Sequence, residues 1–211
     1  MKSITFFATL MILLTANYSE SQTTMGFTFG TSFARATFKA NSLSVNAKIK
    51  QGLTGGLYFD IPMAPGISLQ PALNFVQKGY IIEDGGSRET MSLNYFEIPL
   101  NAVYKINGFF AGAGPSFATG FTGTDKIDDD NNSVNNSKTD VEFRNKKGGD
   151  FVKPYDIGLN IIAGYRMSGL LFTGNYNFGL SNINPDGSTA NIRNNYFAFK
   201  IGYEFGHEKN K

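Results

Sequence analysis

The sequence predicts an all-β protein, an eight-stranded up-and-down antiparallel β-barrel that spans a membrane. The first observation is that eight segments alternate apolar with polar residues, which is the period of a β-strand. The second is that short and long connections alternate between these segments. An up-and-down sheet with its short turns at one end and its long loops at the other is typical of a transmembrane barrel.

The N-terminal 21 residues have the features of an export signal peptide. Lys2 precedes an apolar run of eleven residues, 4–14, which is too short to span a bilayer core. Small and polar residues follow, and Ser21 is the expected last residue before cleavage. We therefore expect residues 1–21 to be a signal peptide and residues 22–211 to form one β-barrel domain.

The predicted strands carry their apolar residues on one parity, so that one face of the sheet is apolar. The fifth strand, residues 108–121, is instead rich in small residues. For the other seven, in chain order, the apolar positions are Phe27, Phe29 and Phe33; Leu53, Leu57, Phe59 and Ile61; Ile67, Leu69, Leu73 and Phe75; Phe96, Ile98, Leu100, Ala102, Tyr104 and Ile106; Tyr155, Ile157, Leu159, Ile161, Ala163 and Tyr165; Leu170, Phe172, Tyr176, Phe178 and Leu180; and Phe197, Phe199, Ile201, Tyr203 and Phe205.

The connections predict the two ends of the barrel. Short connections lie around residues 62–66, 107–108 and 167–169, whereas long polar ones cover residues 35–49, 79–89, 122–153 and 181–193. We expect residues 122–153 to form a polar loop without apolar content that is mobile or contacts a protein partner.

Three prolines interrupt the predicted strands. Pro71, Pro99 and Pro115 each lack a backbone donor for the strand ladder. We expect a bulge or a strand end at Pro115.

The polar face of the predicted sheet carries four acidic and four basic residues, so its charge is balanced. In a membrane barrel the apolar face turns outward, and these side chains would form a paired network in the lumen. Glu97 with Lys105 or with Arg166 are the expected pairs. Eight strands enclose a lumen that side chains fill, which argues against a general diffusion pore. The eight residues are Asp60, Lys78, Glu97, Lys105, Asp156, Arg166, Lys200 and Glu204.

Composition gives no support for catalysis, a cofactor or a metal. The chain has no cysteine, and its one histidine, His207, follows the last predicted strand, where a hydrolase site could not be rigidly held. A formal net charge of +2 gives no case for nucleic acid. We therefore expect a non-enzymatic protein without a cofactor or metal site.

Four stretches of the sequence, taken with their order and spacing, carry a resemblance: NYFEIPLNAVYK (94–105), GAGPSF (112–117), YDIGLNIIAGY (155–165) and NNYFAFKIGYEF (194–205). They resemble the outer membrane β-barrel domain family common in Bacteroidota, which is related to PorT-like proteins and similar in size to OmpX-type barrels. The resemblance implies a location in the outer membrane and contact with its lipid or lipopolysaccharide. It also implies insertion by the barrel-assembly machinery, which reads the final aromatic strand, but it implies no reaction.

Three functions remain open at the level of the sequence. The first is a non-enzymatic integral barrel whose exposed loops have a surface-binding or envelope-structural role. The second, by analogy with PorT-like proteins, is a barrel associated with secretion or assembly. The third is a soluble, lipocalin-like barrel that binds an apolar ligand and therefore turns its aromatic face inward.

Overall fold

The computed structural model describes residues 22–40, 43–129, 136–144, 151–186 and 191–205. The expected signal peptide, residues 1–21, and His207 lie outside these ranges. Within them, no helix is long and apolar enough to cross a membrane. The described residues form eleven strands: β1 (Thr24–Ala40), β2 (Leu43–Asn46), β3 (Lys50–Ala64), β4 (Ile67–Asp84), β5 (Ser87–Ile106), β6 (Phe109–Asp129), β7 (Ser137–Phe143), β8 (Phe151–Val152), β9 (Tyr155–Met167), β10 (Leu170–Gly179) and β11 (Asn191–Phe205).

The eight long strands close into a ring of antiparallel neighbours, as the sequence predicts. The order β5-β4-β3-β1-β11-β10-β9-β6 is completed by pairing of β5 with β6. Closure between the first and last strands runs from Met25 opposite Phe205 to Lys39 opposite Asn191. Because every long strand has two neighbours, the barrel leaves no open edge within the membrane.

Tight turns at one end of the barrel set the register of two hairpins. Asn107 and Gly108 have φ values of 50° and 82°, and Ser168 and Gly169 have 51° and 84°. Two consecutive residues with positive φ are typical of the two-residue turns that match the twist of a β-hairpin. These turns, the start of β1 and the end of β11 lie at the same end of the barrel, which we call the short-turn end.

The long connections contain more β-structure than the sequence predicts. Residues 79–89 form a hairpin in which β4 and β5 stay paired as far as Asp84 opposite Ser87. The polar loop expected at residues 122–153 includes the end of β6, all of β7 and all of β8. The prediction of loops there is wrong because a strand outside the hydrocarbon layer has no lipid-facing apolar residues, so its period-two signal weakens although its ladder continues.

The prolines do not interrupt the strands, so the prediction of a bulge or strand end at Pro115 is wrong. Pro115 lies opposite Leu159, and the register between β6 and β9 is the same on both sides of it. The register of the sheet shifts at two other places, between Asn94 and Tyr95 of β5 and between Pro62 and Ala64 of β3. A proline removes one ladder hydrogen bond, and the bonds of the neighbouring residues hold the register.

The apolar face of the barrel points outward. Phe29, Phe199 and Ile201 are 63%, 60% and 58% exposed, whereas Asp60 and Glu97 on the opposite face are at most 2% exposed. A soluble barrel that binds an apolar ligand needs the reverse arrangement, so that alternative is wrong. The outward aromatic and aliphatic side chains form the band that contacts lipid in a membrane barrel.

Candidate functional site

The lumen near the short-turn end holds a cluster of four charged residues and one tyrosine. The Nζ atom of Lys105 donates to Oδ2 of Asp60 at 2.8 Å. Nη2 of Arg166 lies 3.1 Å from the same oxygen and 2.7 Å from Oε2 of Glu204. The hydroxyl of Tyr58 also donates to Glu204, at 2.8 Å. Two acids and two bases therefore balance each other across this level, which we call the lower charge cluster.

A second cluster lies nearer the opposite end of the lumen. Nζ of Lys78 is 2.9 Å from Oε2 of Glu97 and 3.0 Å from Oδ2 of Asp156. The ammonium also lies 5.0 Å from the ring centre of Tyr95 and 5.2 Å from that of Tyr196. The hydroxyl of Tyr196 donates to Glu97. Lys78 is thus held by two carboxylates and two aromatic faces, and we call this group the upper charge cluster.

Uncharged polar side chains fill the level between the two clusters. Asn175 donates to Asn160 at 3.2 Å, and Asn160 donates to Asn101 at 3.0 Å. A cavity of about 30 Å³ remains beside them, enough for one or two water molecules. Lys200 lines this cavity and makes no ion pair with any described residue. Its charge offsets the excess negative charge of the upper charge cluster, which has two acids and one base.

Seven of the eight charged residues form ion pairs with one another, and these pairs differ from those expected from the sequence. Glu97 contacts Lys78, whereas Lys105 and Arg166 contact the acids of the lower charge cluster. Glu97 and Lys105 lie on the same strand, eight residues apart, which corresponds to about 27 Å. The expected pair of Glu97 with Lys105 is therefore wrong for a reason that strand geometry alone supplies, and the pair with Arg166 is wrong because Arg166 lies beside the short-turn end.

An apolar cap closes the lumen above the upper charge cluster, and the sequence analysis missed it. Val141 and Phe143 of β7, Val152 of β8 and Ile183 pack on the inward side chains of the barrel strands. The rings of Phe143 and Tyr95 meet edge to face with centres 5.4 Å apart. We call these four residues the apolar cap. They lie in segments that were expected to be polar loops, and the short stretches VEF at 141–143 and FV at 151–152 are the signal of three of them in the sequence.

The glycine at position 120 makes room for the cap. A Cβ atom at Gly120 would lie 2.1 Å from the ring of Phe143, which is closer than real Cβ contacts. Phe143 therefore packs against bare backbone of β6. This contact ties the position of β7 to the wall of the barrel.

Beyond the cap, the hairpin of β4 and β5 carries a small charged group. Lys48 donates to Glu83, and Arg88 lies 3.8 Å from the same carboxylate. The hydrogen bond from Lys48 lowers the pKa of Glu83 below its ordinary value. On the same hairpin, burial raises the pKa of Tyr80, and the nearby Glu89 adds to this effect. The hairpin is thus a structured surface.

The described residues contain no group of three or more histidine, cysteine or acidic side chains that could hold a metal ion. In the lumen, Asp60, Glu97, Asp156 and Glu204 each lie within 3.1 Å of a basic nitrogen. These carboxylates are engaged in ion pairs, so the arrangement is suited to holding the barrel wall together.

Comparison with known proteins agrees with this architecture. A family model described as "Outer membrane protein beta-barrel domain" matches residues 16–184. Among solved structures, Ail, the attachment invasion locus protein of Yersinia pestis, is similar at 12% identity and a TM-score of 0.48, with 88% of this chain and 100% of that chain covered. Neisserial surface protein A (NspA) is similar at 12% identity and 0.45, covering 85% and 97%.

The outer membrane protease OmpT from Escherichia coli is also similar, at 11% identity and a TM-score of 0.38, with 90% of this chain and 99% of that chain covered. At these identities the likeness concerns the barrel fold alone. No curated protein matches the chain in sequence.

Proposed function

The chain belongs to the outer membrane protein β-barrel domain family, and from this premise we propose that it is a non-enzymatic integral barrel whose filled lumen supports a binding surface outside the membrane. The observation that carries the proposal is the filling of the lumen. Two charge clusters, a layer of amides and the apolar cap leave a cavity of about 30 Å³ between them. A wall braced in this way suits a support for surface strands better than it suits a pore.

The strand extensions at the capped end are the candidate binding surface. Beyond the outward side chain of Phe75, β4 continues for nine residues to Asp84, which corresponds to about 30 Å of strand. On the neighbouring side, Ser137, Lys138, Thr139 and Asp140 of β7 are exposed. We take β7 as the part of segment 122–153 that contacts a protein partner, because its exposed residues stand directly beside the cap that fixes the strand.

Site-specific photo-crosslinking in intact cells tests this surface. A photoreactive phenylalanine derivative at Lys138 should give a protein adduct of defined mass, whereas the same group at the lipid-facing Phe199 should give none. Lack of an adduct at Lys138 would contradict the assignment of β7 to a protein partner. If the adduct contained components of a secretion complex, the role in secretion or assembly implied by the resemblance would be favoured.

Insertion is the other step for which we propose a partner. The last strand, β11, ends at Phe205, whose side chain faces outward and is 47% exposed. We propose that the barrel-assembly machinery reads this strand. Phe205→Ser should lower the amount of protein in the outer membrane. Phe29→Ser in β1, which also removes an outward-facing aromatic side chain, should lower it less.

A further inference from the structure

The outer wall of the barrel carries an apolar groove whose rim at the capped end is cationic. The groove has a volume of about 350 Å³ and is lined by Phe33, Ile49, Tyr176 and Phe197, with Arg35 at its edge. It adjoins, at Phe199, a larger groove of about 1110 Å³ that continues toward the short-turn end. Most of their lining residues face outward, so both grooves open to the lipid. The lining also includes buried side chains, Tyr196 in the smaller groove and Phe110, Thr173 and Lys200 in the larger one.

Two guanidinium groups stand where the outward face changes from aromatic to polar. Arg35 follows Phe33 by two residues on β1 and so projects from the same face. It lies opposite Asn195 of β11, and Arg193 is two residues before Asn195 on that strand, toward the capped end. Diagonal neighbours of this kind are about 7–8 Å apart, so that both side chains can reach one anion.

These two arginines lack an acidic partner within 4.0 Å among the residues that the structure describes. Nε of Arg193 donates to the amide oxygen of Asn191 at 3.3 Å, which leaves its charge uncompensated. Some other basic side chains at this end are paired, Lys48 with Glu83 and Lys126 with Asp128. Lys39, four residues beyond Arg35 on the same face of β1, has no ion pair with a described residue and adds positive charge to this sector of the wall.

We infer that this sector binds a phosphorylated glycolipid of the outer leaflet, with a phosphate on Arg35 and Arg193 and an acyl chain in the groove. Long loops mark the external end of such barrels, so the arginines lie at the level of the outer-leaflet headgroups. Guanidinium groups bind phosphate through paired, charge-assisted hydrogen bonds. The apolar groove directly below the cations is the feature that distinguishes a lipid from a free anion, because only a lipid fills both parts.

The floor of the larger groove offers a way to test the acyl-chain position separately. Gly174 of β10 faces outward, and a Cβ atom there would lie 3.8 Å from the rings of Phe197 and Phe199, which is ordinary contact. A larger side chain at Gly174 would therefore occupy the larger groove without disturbing the wall of the barrel. An acyl chain that runs past Phe199 would be displaced by it.

Native mass spectrometry of the folded barrel, with diphosphorylated lipid A as the probe, tests the inference. We expect the double variant Arg35→Gln/Arg193→Gln to lose at least tenfold in affinity, since each removes a hydrogen bond between charged groups. Gly174→Leu should lose severalfold with both cations present. Arg88→Gln, at the tip of the β4–β5 hairpin, is the matched control and should bind as the parent protein does.

Three results would overturn the inference. One is equal binding of lipid A to the parent protein and to the double arginine variant, with both shown to be folded by their heat-dependent gel mobility. Another is equal binding of dephosphorylated lipid A, which would show that the phosphate does not contribute to binding. The third is equal binding of phosphatidylglycerol, which would make the sector a general site for anionic lipids.

Discussion

Replacing Lys78 by methionine tests how much the ion pairs of the upper charge cluster contribute to the free energy of unfolding. The change keeps the length of the side chain and removes the charge that faces Glu97 and Asp156. These three side chains are at most 3% exposed, so neither carboxylate can be solvated in place of the ion pair. Removing one partner of a buried pair costs about 3–5 kcal/mol. Because Lys78 pairs with two carboxylates, we expect the free energy of unfolding to fall by about 5 kcal/mol, the upper end of this range. Protonation of one of the two acids limits the loss.

The stability of this variant is best followed by gel mobility. The chain has no tryptophan, so the folded fraction across a urea series is read from the migration of unheated samples. Arg88→Gln, on the exposed hairpin, should change the free energy of unfolding by no more than about 0.5 kcal/mol. Adding Asp156→Asn to Lys78→Met should recover part of the loss, because Glu97 is then the one carboxylate left in the cluster and the charge of Lys200 offsets it. A loss below about 1 kcal/mol for Lys78→Met alone would mean that the two carboxylates do not depend on Lys78 for their burial.

Three further predictions concern the cap and the external hairpin. Phe143→Ala should lower the free energy of unfolding by about 2–3 kcal/mol, less than the full cost for a buried phenylalanine because the ring is partly exposed, and an unchanged free energy of unfolding would contradict the role of the cap. Gly120→Ala should destabilise the barrel by about 1–3 kcal/mol through its clash with Phe143, and combining it with Phe143→Ala should remove the clash. Lys48→Gln should raise the pKa of Glu83 in an NMR titration. With Lys48 present, the pKa of Glu83 is depressed, so this contact stabilises the hairpin above pH 4.5 and is lost as the pH falls through the lowered value.

The parts of the fold that lie in the membrane were predictable from the sequence because the lipid imposes a period on them. Phe199, Ile201 and Tyr203 alternate with inward residues for the whole crossing, and the two-residue turn at Asn107 fixes where neighbouring strands meet. The extensions beyond the membrane were not predictable in this way. Around Asp84 both faces of the hairpin meet water, so that the apolar period ends before the strand does.

The site was predictable in its composition and not in its pairing. The identities of the inward charges follow from the parity of each strand, but which charges meet depends on the stagger between strands, and the sequence does not contain that stagger in readable form. Strand length alone could have excluded Glu97 with Lys105. The cap could not be foreseen from period two, because Val141 and Phe143 give only two apolar positions and Ile183 is separated from them by about forty residues of chain; the closed barrel brings them together.

Ion conductance of the purified, folded protein in a planar lipid bilayer shows whether the lumen is filled. Two charge clusters and an apolar cap lie across one narrow lumen, with a cavity of about 30 Å³ beside the amide layer. We therefore expect no sustained current for the parent protein under conditions in which a sixteen-stranded porin conducts steadily. A stable open channel would contradict this expectation, because ions could then pass the level at which Lys78, Glu97 and Asp156 are in contact.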